Sequence, residues 1–241
     1  TALAGCWSAL KTSPAIQVSM RVICLNTNRS ATRMIEEVQS FNPDVVMLQE
    51  WADHRMDRSD TAEGCFPEMG VAATRYLATL AVDDFEVVHS EERVLVTKHE
   101  EMLMVNTYLP ANSGKARREH LESLDGLLSG FESGPALIAG DFNMAPRVED
   151  GWHGNNHSKY TTKGERGALE GILKRHGLAD LGAGVRWEAT FEKMNNGKLT
   201  SFRCDLGLVS GNRWELVYDH RFRNEVGMSD HSALILDKWE E

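Results

Sequence analysis

The sequence predicts an α/β domain, because short apolar runs alternate along the chain with segments of helical periodicity. Several of the apolar runs end abruptly in acids or amides, and the clearest example lies at residues 135–146. This stretch begins as a run short enough to be a strand buried on both faces, and it ends in Asp141 and Asn143. Such polar strand ends are typical of sites in α/β proteins, although an ordinary turn also selects Asp and Asn.

The length and composition indicate one large domain. The chain has 241 residues without a break in composition, so we expect an N-terminal extension of unassigned function at residues 1–19 and one domain at residues 20–241. The 26 basic and 36 acidic residues give a net charge of −10, which disfavours a protein that coats nucleic acid through a general positive field. A polyanionic substrate would therefore need a local basic patch or a metal ion.

Cysteine usage and hydropathy suggest where the protein resides. The four cysteines form no CxxC pair and no zinc-like spacing, so we expect free thiols in a reducing compartment, with Cys24 and Cys204 buried in strands. No segment resembles a signal peptide or is long enough to span a bilayer. We therefore expect an intracellular, cytoplasmic protein without a membrane partner. The oligomeric state stays open.

The first half of the chain is predicted to be rich in strands. Residues 20–25 and 44–48 are buried strands that run into Asn26 and Glu50, and the helix between them has Ser30 as its N-cap. The further elements predicted here are a polar loop at residues 51–70, a helix at 71–80, and strands at 85–89, 93–97 and 101–108. The first two of these three strands are expected to form an antiparallel pair.

The second half contains the clearest helix, at residues 115–131, whose leucines form one apolar stripe. Arg117 and Arg118 in its first turn oppose the helix dipole, which suggests either a nearby phosphate or simple solvation. Arg203 and Asp205 lie inside an apolar run, where they either pair with each other or bind other partners. The remaining predicted elements are a polar loop at residues 147–167, a helix at 168–176, and strands at 189–191, 201–210, 214–218 and 232–236.

The candidate site consists of polar side chains at the predicted strand ends. They are Asn26, Asn28, Glu50, Tyr108, Asp141, Asn143, Asp205, Asp230 and His231. Hydrolysis of a phosphodiester needs a hard cation on oxygen ligands, an oriented water, and hydrogen-bonding or positive groups around the charge that builds on the phosphate. This set supplies each of those residue types.

Five short motifs occur in a specific order across residues 21–236. They are Leu25-Asn26-Thr27-Asn28, Leu48-Gln49-Glu50, Gly140-Asp141-Phe142-Asn143, Arg203-Cys204-Asp205 and Ser229-Asp230-His231. Each is weak alone, but together they resemble the endonuclease/exonuclease/phosphatase superfamily of deoxyribonuclease I-like enzymes. Tyr108 makes the chain most similar to the branch of exonuclease III and the abasic-site endonucleases. The resemblance implies a four-layer sandwich of two facing mixed β-sheets flanked by helices, with the site at one rim.

The resemblance also implies a role for each candidate residue. Glu50 would bind Mg²⁺, or Mn²⁺ in its place, with Asn28 and Asp230 nearby. Asp141 would orient or deprotonate the attacking water, and Asn143 and Asn26 would hold phosphate oxygens or Asp141 itself. His231, oriented by Asp205, would donate to the phosphate, and Tyr108 would contact the phosphate or the leaving group. The residues expected to bind substrate are Arg117, Arg118, Arg147, Arg203 and Phe202.

Three functions remain open from the sequence. The first is a Mg²⁺-dependent nuclease that hydrolyses phosphodiester bonds in DNA, with RNA as a possible substrate. The second is a phosphatase or phosphodiesterase that acts on a small molecule, a lipid or RNA; Tyr108 and the lack of a membrane-binding apolar stretch count against it. The third is a catalytically silent module that binds nucleic acid, which the complete set of acids, amides and His231 disfavours.

Overall fold

Two six-stranded sheets face each other between helical layers, which confirms the four-layer α/β sandwich. The computed structural model describes residues 17–29, 31–51, 66–184, 188–225 and 228–240. In chain order, the elements of these residues are β1 (Val18–Asn26), α1 (Ala31–Ser40), β2 (Val45–Gln49), β3 (Gly70–Ala73), β4 (Leu77–Ala81), β5 (Glu86–Glu91), β6 (Val94–His99), β7 (Met102–Tyr108), α2 (Gly114–Leu128), β8 (Leu137–Asp141), β9 (Gly151–His153), β10 (Asn156–His157), α3 (Lys163–His176), β11 (Leu178–Asp180), β12 (Phe191–Asn195), β13 (Lys198–Phe202), β14 (Asp205–Ser210), β15 (Trp214–Asp219), α4 (Arg221–Asn224) and β16 (Ala233–Trp239).

The strand order brings several chain segments to one rim. The first sheet has the order β15-β16-β1-β2-β4-β3, and the second has the order β11-β14-β8-β7-β6-β5. Each contains one parallel pair, β1–β2 and β7–β8, whose strands are connected through a helix. Parallel strands end at the same edge of a sheet. Asn26 is therefore paired with Gln49 in the first sheet, and Tyr108 with Asp141 in the second.

Apolar side chains fill the space between the sheets, and a buried amide pair links the two sheets. Met47 of the first sheet packs with Met104 and Leu137 of the second. Gln49 Nε2 donates to Asn106 Oδ1 at 2.8 Å, and neither side chain is accessible to solvent. Because buried amides are stabilised when they are hydrogen-bonded, this pair favours one alignment of the two sheets.

The helices cover the outer faces of the sandwich through apolar stripes. Leu121, Leu124 and Leu128 of α2 are buried against the second sheet, which confirms the predicted stripe. A capping box formed by Thr162 and Glu165 starts α3. Helices α1 and α4 pack on the first sheet through Met34, Val38 and Phe222.

Three local predictions are wrong. Residues 71–80 form β3 and β4 instead of a helix. Because β4 is buried along its whole length, its residues are mostly apolar on both faces, and the sequence pattern does not distinguish a strand from a helix there. The single strand predicted at residues 201–210 is two strands in different sheets, β13 and β14, interrupted at Arg203 and Cys204. The loop predicted at residues 147–167 contains β9, β10 and the start of α3.

The small sheet is the largest departure from the prediction. It has the order β10-β9-β13-β12 and lies beside the rim, because the isolated bridge between Phe191 and His231 ties β12 to the entrance of β16. Its hairpin β12–β13 turns at Asn196 and Gly197, which have positive φ of 49° and 72°. Such a turn is typical of Asn-Gly, so the pair is a hairpin signal in the sequence.

The N-terminal boundary, the cysteines and the helices can also be compared with what the sequence predicts. β1 begins at Val18, so residues 18 and 19 belong to the first sheet, while residues 1–16 lie outside the described part. Cys24 and Cys204 are buried free thiols, as predicted; Cys6 and Cys65 lie outside the described residues, as does most of the loop predicted at 51–70. Within the described residues, no helix has the length and apolar character needed to cross a bilayer.

Candidate active site

Four strand ends and the starts of two further strands converge at the rim of the sandwich. β1 and β2 bring Asn26 and Glu50 from the first sheet, and β7 and β8 bring Tyr108 and Asp141 from the second. β14 runs antiparallel beside β8, so its first residue, Asp205, is paired with Asp141. His231 enters from the turn before β16, and its Nε2 lies 3.9 Å from Asp141 Oδ2.

Gly140 permits the close approach of β7 and β8 on which this arrangement depends. A Cβ at this position would lie 1.8 Å from the carbonyl oxygen of Thr107, and the glycine has a φ of 153°. Any other residue would push the two strands apart. Glycine at this position is therefore what allows Asp141 to lie directly beside Tyr108.

Asp141 is buried at the centre of the site and is held by amides from both sheets. Its Oδ2 accepts hydrogen bonds from Asn26 Nδ2 at 3.0 Å and from Asn143 Nδ2 at 3.1 Å, and its Oδ1 accepts from the Asn143 backbone at 2.8 Å. Burial and the negative charge of Asp205 raise the pKa of Asp141 to about 7, although His231 opposes that rise. A carboxylate with a pKa near neutrality is suited to accept a proton from water.

His231 and Asp205 form a buried ion pair next to Asp141. His231 Nδ1 donates to Asp205 at 2.9 Å from Oδ2 and 3.1 Å from Oδ1, which leaves Nε2 directed towards Asp141. Burial alone would lower the pKa of His231, but the negative charges of Asp205 and Asp141 outweigh this effect and raise it to about 10. The imidazole is therefore a cation at neutral pH and can donate a proton from Nε2.

Tyr108 and Glu50 form the second part of the site. The Tyr108 hydroxyl donates to Glu50 Oε1 at 2.5 Å, and the Asn26 amide donates to the same oxygen at 3.5 Å. The Arg93 guanidinium lies 4.7 Å from the centre of the Tyr108 ring. Burial and the bond to Glu50 raise the pKa of Tyr108 far above its ordinary value, so the phenol stays protonated. Arg29 Nε lies 3.9 Å from Glu50 Oε2 and adds positive charge at the rim.

Backbone strain is concentrated at these strand ends. Asn28, Arg29, Glu50 and Asn143 have positive φ of 44°, 63°, 46° and 48°. Such angles are uncommon for residues other than glycine, and they cluster at functional sites more often than elsewhere. Here they turn the chain sharply after β1, β2 and β8, so that the side chains point across the rim.

The predicted metal-binding residues offer the donors that a hard cation prefers. Glu50 is partly exposed with carboxylate oxygens at the rim, Asp230 is partly exposed beside His231, and Asn28 is exposed two residues after Asn26. Mg²⁺ commonly binds one or two carboxylates and keeps several waters. The oxygen donors at this rim therefore fit Mg²⁺ or Mn²⁺.

The predicted substrate-binding residues fall into two groups. Arg117 and Arg203 are about 1% exposed: Arg117 pairs with Glu165, and Arg203 pairs with Asp150 and Asp180. The prediction that they contact substrate is therefore wrong, because each guanidinium is enclosed by protein, and Arg203 does not pair with Asp205. The members of the second group keep some access to solvent or to a cavity beside the rim; they are Arg118, Arg147 and Phe202.

A cavity of about 620 Å³ opens beside His231 and Asn143. Phe191, Phe202 and Tyr160 contribute aromatic walls, and the Tyr160 and Phe202 rings lie 5.6 Å apart. The sequence prediction missed Phe191 and Tyr160. The signal that could have identified them is that each is an aromatic residue within a polar stretch of the sequence. It also missed the polar rim of this cavity, which includes Asn112, His153, Lys193 and Thr200.

Thr190 is a further residue that sequence reasoning did not identify. Its buried hydroxyl accepts hydrogen bonds from the backbone N–H groups of Cys204 and Asp205, each at 3.1 Å. These bonds hold the strand break at which Asp205 turns towards His231. No local pattern around Thr190 marks this role, because its partners are distant in the sequence.

Comparison with known proteins identifies a family and a fold. The model of the Endonuclease/Exonuclease/phosphatase family matches residues 19–231. No curated protein sequence matches the chain significantly. An AP endonuclease from Archaeoglobus fulgidus has a TM-score of 0.75 at 20% identity, over 90% of this chain and 98% of that one. The 3'-5' exonuclease NExo from Neisseria meningitidis has a TM-score of 0.68 at 18% identity, over 91% of this chain and 99% of that one. D. rerio TDP2 complexed with a single-strand DNA product has a TM-score of 0.63 at 13% identity, over 92% of this chain and 99% of that one.

Proposed function

The chain belongs to the endonuclease/exonuclease/phosphatase family, and from that membership and the geometry of the rim we propose that it is a Mg²⁺-dependent nuclease acting on DNA. The observation that carries the proposal is the row of buried groups at Asp141, His231 and Asp205. A proton acceptor and a proton donor lie 3.9 Å apart there, and the donor is held by a second carboxylate. In-line attack of water on a phosphodiester needs both groups.

Asp141 acts as the proton acceptor in the proposed reaction. Asn26 and Asn143 each donate to its carboxylate, so its orientation is fixed before substrate binds. A water bound to this carboxylate is directed at the phosphorus and transfers its proton to Asp141 as it attacks. The loss of this carboxylate should reduce the rate by about 10²- to 10⁴-fold, the usual contribution of a general base.

His231 stabilises the charge that builds on the phosphate. The imidazolium donates from Nε2 to a non-bridging oxygen, while Asp205 holds Nδ1 and preserves the positive charge. Tyr108 donates to Glu50 and is close enough to the rim to contact the phosphate or the leaving oxygen. Glu50, with Asp230 and Asn28, would hold Mg²⁺, which supplies Lewis-acid stabilisation of the phosphate and leaving oxygen when it is bound.

Two observations favour a nucleic acid as substrate. The aromatic walls of the cavity at Phe191, Phe202 and Tyr160 suit stacking of a base, which contributes about 1–3 kcal/mol per base. Among the structural neighbours, TDP2 is described with a single-strand DNA product, and NExo as a 3'-5' exonuclease. Arg118 and Lys193 are exposed and would bind phosphates along a strand, which offsets the acidic net charge locally. Arg147, by contrast, is held by Asp150 and the Ala183 carbonyl.

The experiment that tests the proposal measures cleavage of DNA with Mg²⁺ and with excess chelator. The substrates are supercoiled plasmid, linear duplex, single-stranded DNA and a duplex with one abasic site, with an RNA of the same sequence beside them. Asp141→Asn is compared with Asp237→Asn, the same change at a carboxylate that pairs with Arg21 at the opposite end of β1.

We expect Mg²⁺-dependent cleavage of at least one DNA substrate by the wild-type and Asp237→Asn proteins, and a loss of about two or more orders of magnitude in Asp141→Asn. Cleavage of RNA alone would redirect the proposal to an RNA substrate. DNA binding without turnover on any substrate, unchanged in Asp141→Asn, would instead identify a silent binding module.

A further inference from the structure

A thiol lies among the groups of the proposed reaction without a role in it. The side chains of Asp141, Cys204, Asp205 and His231 each present one potential ligand atom, and these atoms lie within 4.8 Å of one another. All four side chains are buried. Among the described residues, no other group of three or more His, Cys, Asp or Glu side chains converges closely enough to hold a metal ion.

The chemistry of this group differs from that of the Glu50 rim. Glu50, Asp230 and Asn28 offer oxygen only, which suits Mg²⁺. The group around Cys204 offers sulfur, imidazole nitrogen and carboxylate oxygen, which is the ligand set of Zn²⁺ and other thiophilic cations. The thiol contacts Asp205 Oδ2 at 3.6 Å and the Thr190 hydroxyl at 3.8 Å, which are weak contacts that a metal bond would replace.

The four potential ligand atoms lie within 4.8 Å of one another, a spacing that must contract when a tetrahedral site forms. Zn²⁺ binds nitrogen and oxygen at about 2.0–2.2 Å and sulfur at about 2.3 Å, so neighbouring ligand atoms lie roughly 3.3–3.8 Å apart. His231 Nε2 and Asp141 Oδ2 are 3.9 Å apart, which requires only a small adjustment. Asp205 accepts from Nδ1 of the same imidazole, and such a carboxylate typically orients a metal-binding histidine through its other nitrogen.

An entry path exists, because Cys204 and His231 both line the 620 Å³ cavity. We propose that Cys204, His231 and Asp141 form a binding site for a thiophilic divalent cation of the Zn²⁺ class, separate from the Mg²⁺ rim, and that its occupation inhibits hydrolysis. The fourth ligand is a water from the cavity. Binding releases the Cys204 proton, and any proton on His231 Nε2, to solvent; no electrons are transferred.

Inhibition follows from the atoms that the cation would occupy. With its lone pair bound to metal, Nε2 of His231 has no proton to donate to the phosphate. Asp141 likewise loses the oxygen that accepts the proton of the attacking water. This inhibitory consequence rests on the proposed nuclease function, whereas binding of the cation does not.

The test is a titration of the metal-free full chain with Co²⁺ and then with Zn²⁺. It uses a Cys6→Ser, Cys65→Ser background, because those two thiols lie outside the described residues. We expect one Co²⁺ per chain with the near-ultraviolet absorption of a cobalt–thiolate bond, displaced by one Zn²⁺. Cys204→Ser should abolish that absorption and raise the Zn²⁺ Kd by at least about tenfold. Cys24→Ser, which alters a buried thiol bonded to Gln49, should preserve both.

The outcomes separate the cation site from the nuclease function. If the background protein shows no cobalt–thiolate absorption, the site is overturned, and that result does not depend on whether any Cys204 variant folds. An unchanged Zn²⁺ Kd in a folded Cys204→Ser protein would also overturn it. In DNA cleavage at fixed Mg²⁺, Zn²⁺ should inhibit at micromolar or lower concentration only while Cys204 is present. A chain that binds Co²⁺ through thiolate but cleaves no DNA supports the site and overturns the proposed function.

Discussion

Replacing Asp205 with Asn removes a charge from His231 while keeping the shape of the side chain. Asp205 accepts the Nδ1 proton of His231 at 2.9 Å in a site where both residues are buried. Burial lowers the pKa of His231, and the charges of Asp205 and Asp141 outweigh it to give a value of about 10 instead of the ordinary 6.5. Without the Asp205 charge, burial opposes only the charges of Asp141 and Asp230, and we expect the pKa of His231 to fall towards its ordinary value of 6.5.

The consequence depends on pH in a defined direction. A raised pKa means that the protonated form is present below it and is lost as the pH rises through it. At pH 8 the wild-type imidazole is protonated, whereas an imidazole with a pKa of 6.5 is protonated in about 3% of molecules. The activity of Asp205→Asn should therefore be about 30-fold below wild type at pH 8. The deficit should grow about tenfold by pH 9, because the wild-type imidazole stays largely protonated there.

The assay is the initial rate of DNA cleavage at saturating Mg²⁺ at pH 8, 8.5 and 9. These values lie above the pKa of Asp141 in the wild-type protein, about 7, so that carboxylate is ionised there. Asp237→Asn is the matched control, since that carboxylate pairs with Arg21 away from the rim. A deficit that stays constant across the three pH values would refute the reasoning, because it would show that Asp205 acts on structure and not on the protonation of His231.

Three further predictions concern the site and its supports. Tyr108→Phe removes the hydroxyl that is proposed to contact the phosphate or the leaving oxygen. A charge-assisted hydrogen bond formed there in the transition state is worth about 1.5–3 kcal/mol, so kcat/KM should fall about 10- to 150-fold at saturating Mg²⁺; an unchanged value would contradict a role for the hydroxyl. Arg203→Met leaves Asp180 without its cation and Asp150 with Arg147 alone, so it should lower the free energy of unfolding by about 3–5 kcal/mol in denaturant. Arg118→Met at an exposed pair should change it by less than about 1 kcal/mol. Gly140→Ala places a Cβ 1.8 Å from the Thr107 carbonyl and should prevent native folding by circular dichroism; a native melting temperature would disprove the close approach of β7 and β8.

The strand ends could be predicted from sequence because each is a local pattern. Apolar runs that stop at Asn26, Glu50, Tyr108 and Asp141 mark the carboxyl ends of buried strands. Parallel pairing then brings the two members of each pair to one edge of a sheet. That the two edges face each other across one rim came from the family resemblance, because no local pattern states how two sheets pack.

The errors arise where distant partners decide the structure. Residues 71–80 were predicted as a helix, but pairing of β4 with β2 determines their strand conformation. Arg117 and Arg203 look like substrate-binding cations in the sequence, yet each is buried because an acid from a distant segment lies beside it. Hydrophobic periodicity contains no information about such partners, and basic residues close to site motifs are therefore weak evidence of substrate contact.

The charge of the site supports the proposal that a cation at this rim is needed to act on a phosphodiester. The site brings three carboxylates, those of Asp141, Asp205 and Glu50, together with one imidazolium, that of His231, and the phenol of Tyr108 stays protonated. Arg29 and Arg93 add positive charge only from the edge. A phosphodiester would be repelled by the remaining negative charge, and a divalent ion at Glu50 would offset that charge. The same excess of negative charge would attract a thiophilic cation into the group around Cys204, so the proposed Mg²⁺ support and the proposed Zn²⁺ inhibition rest on one feature of the rim.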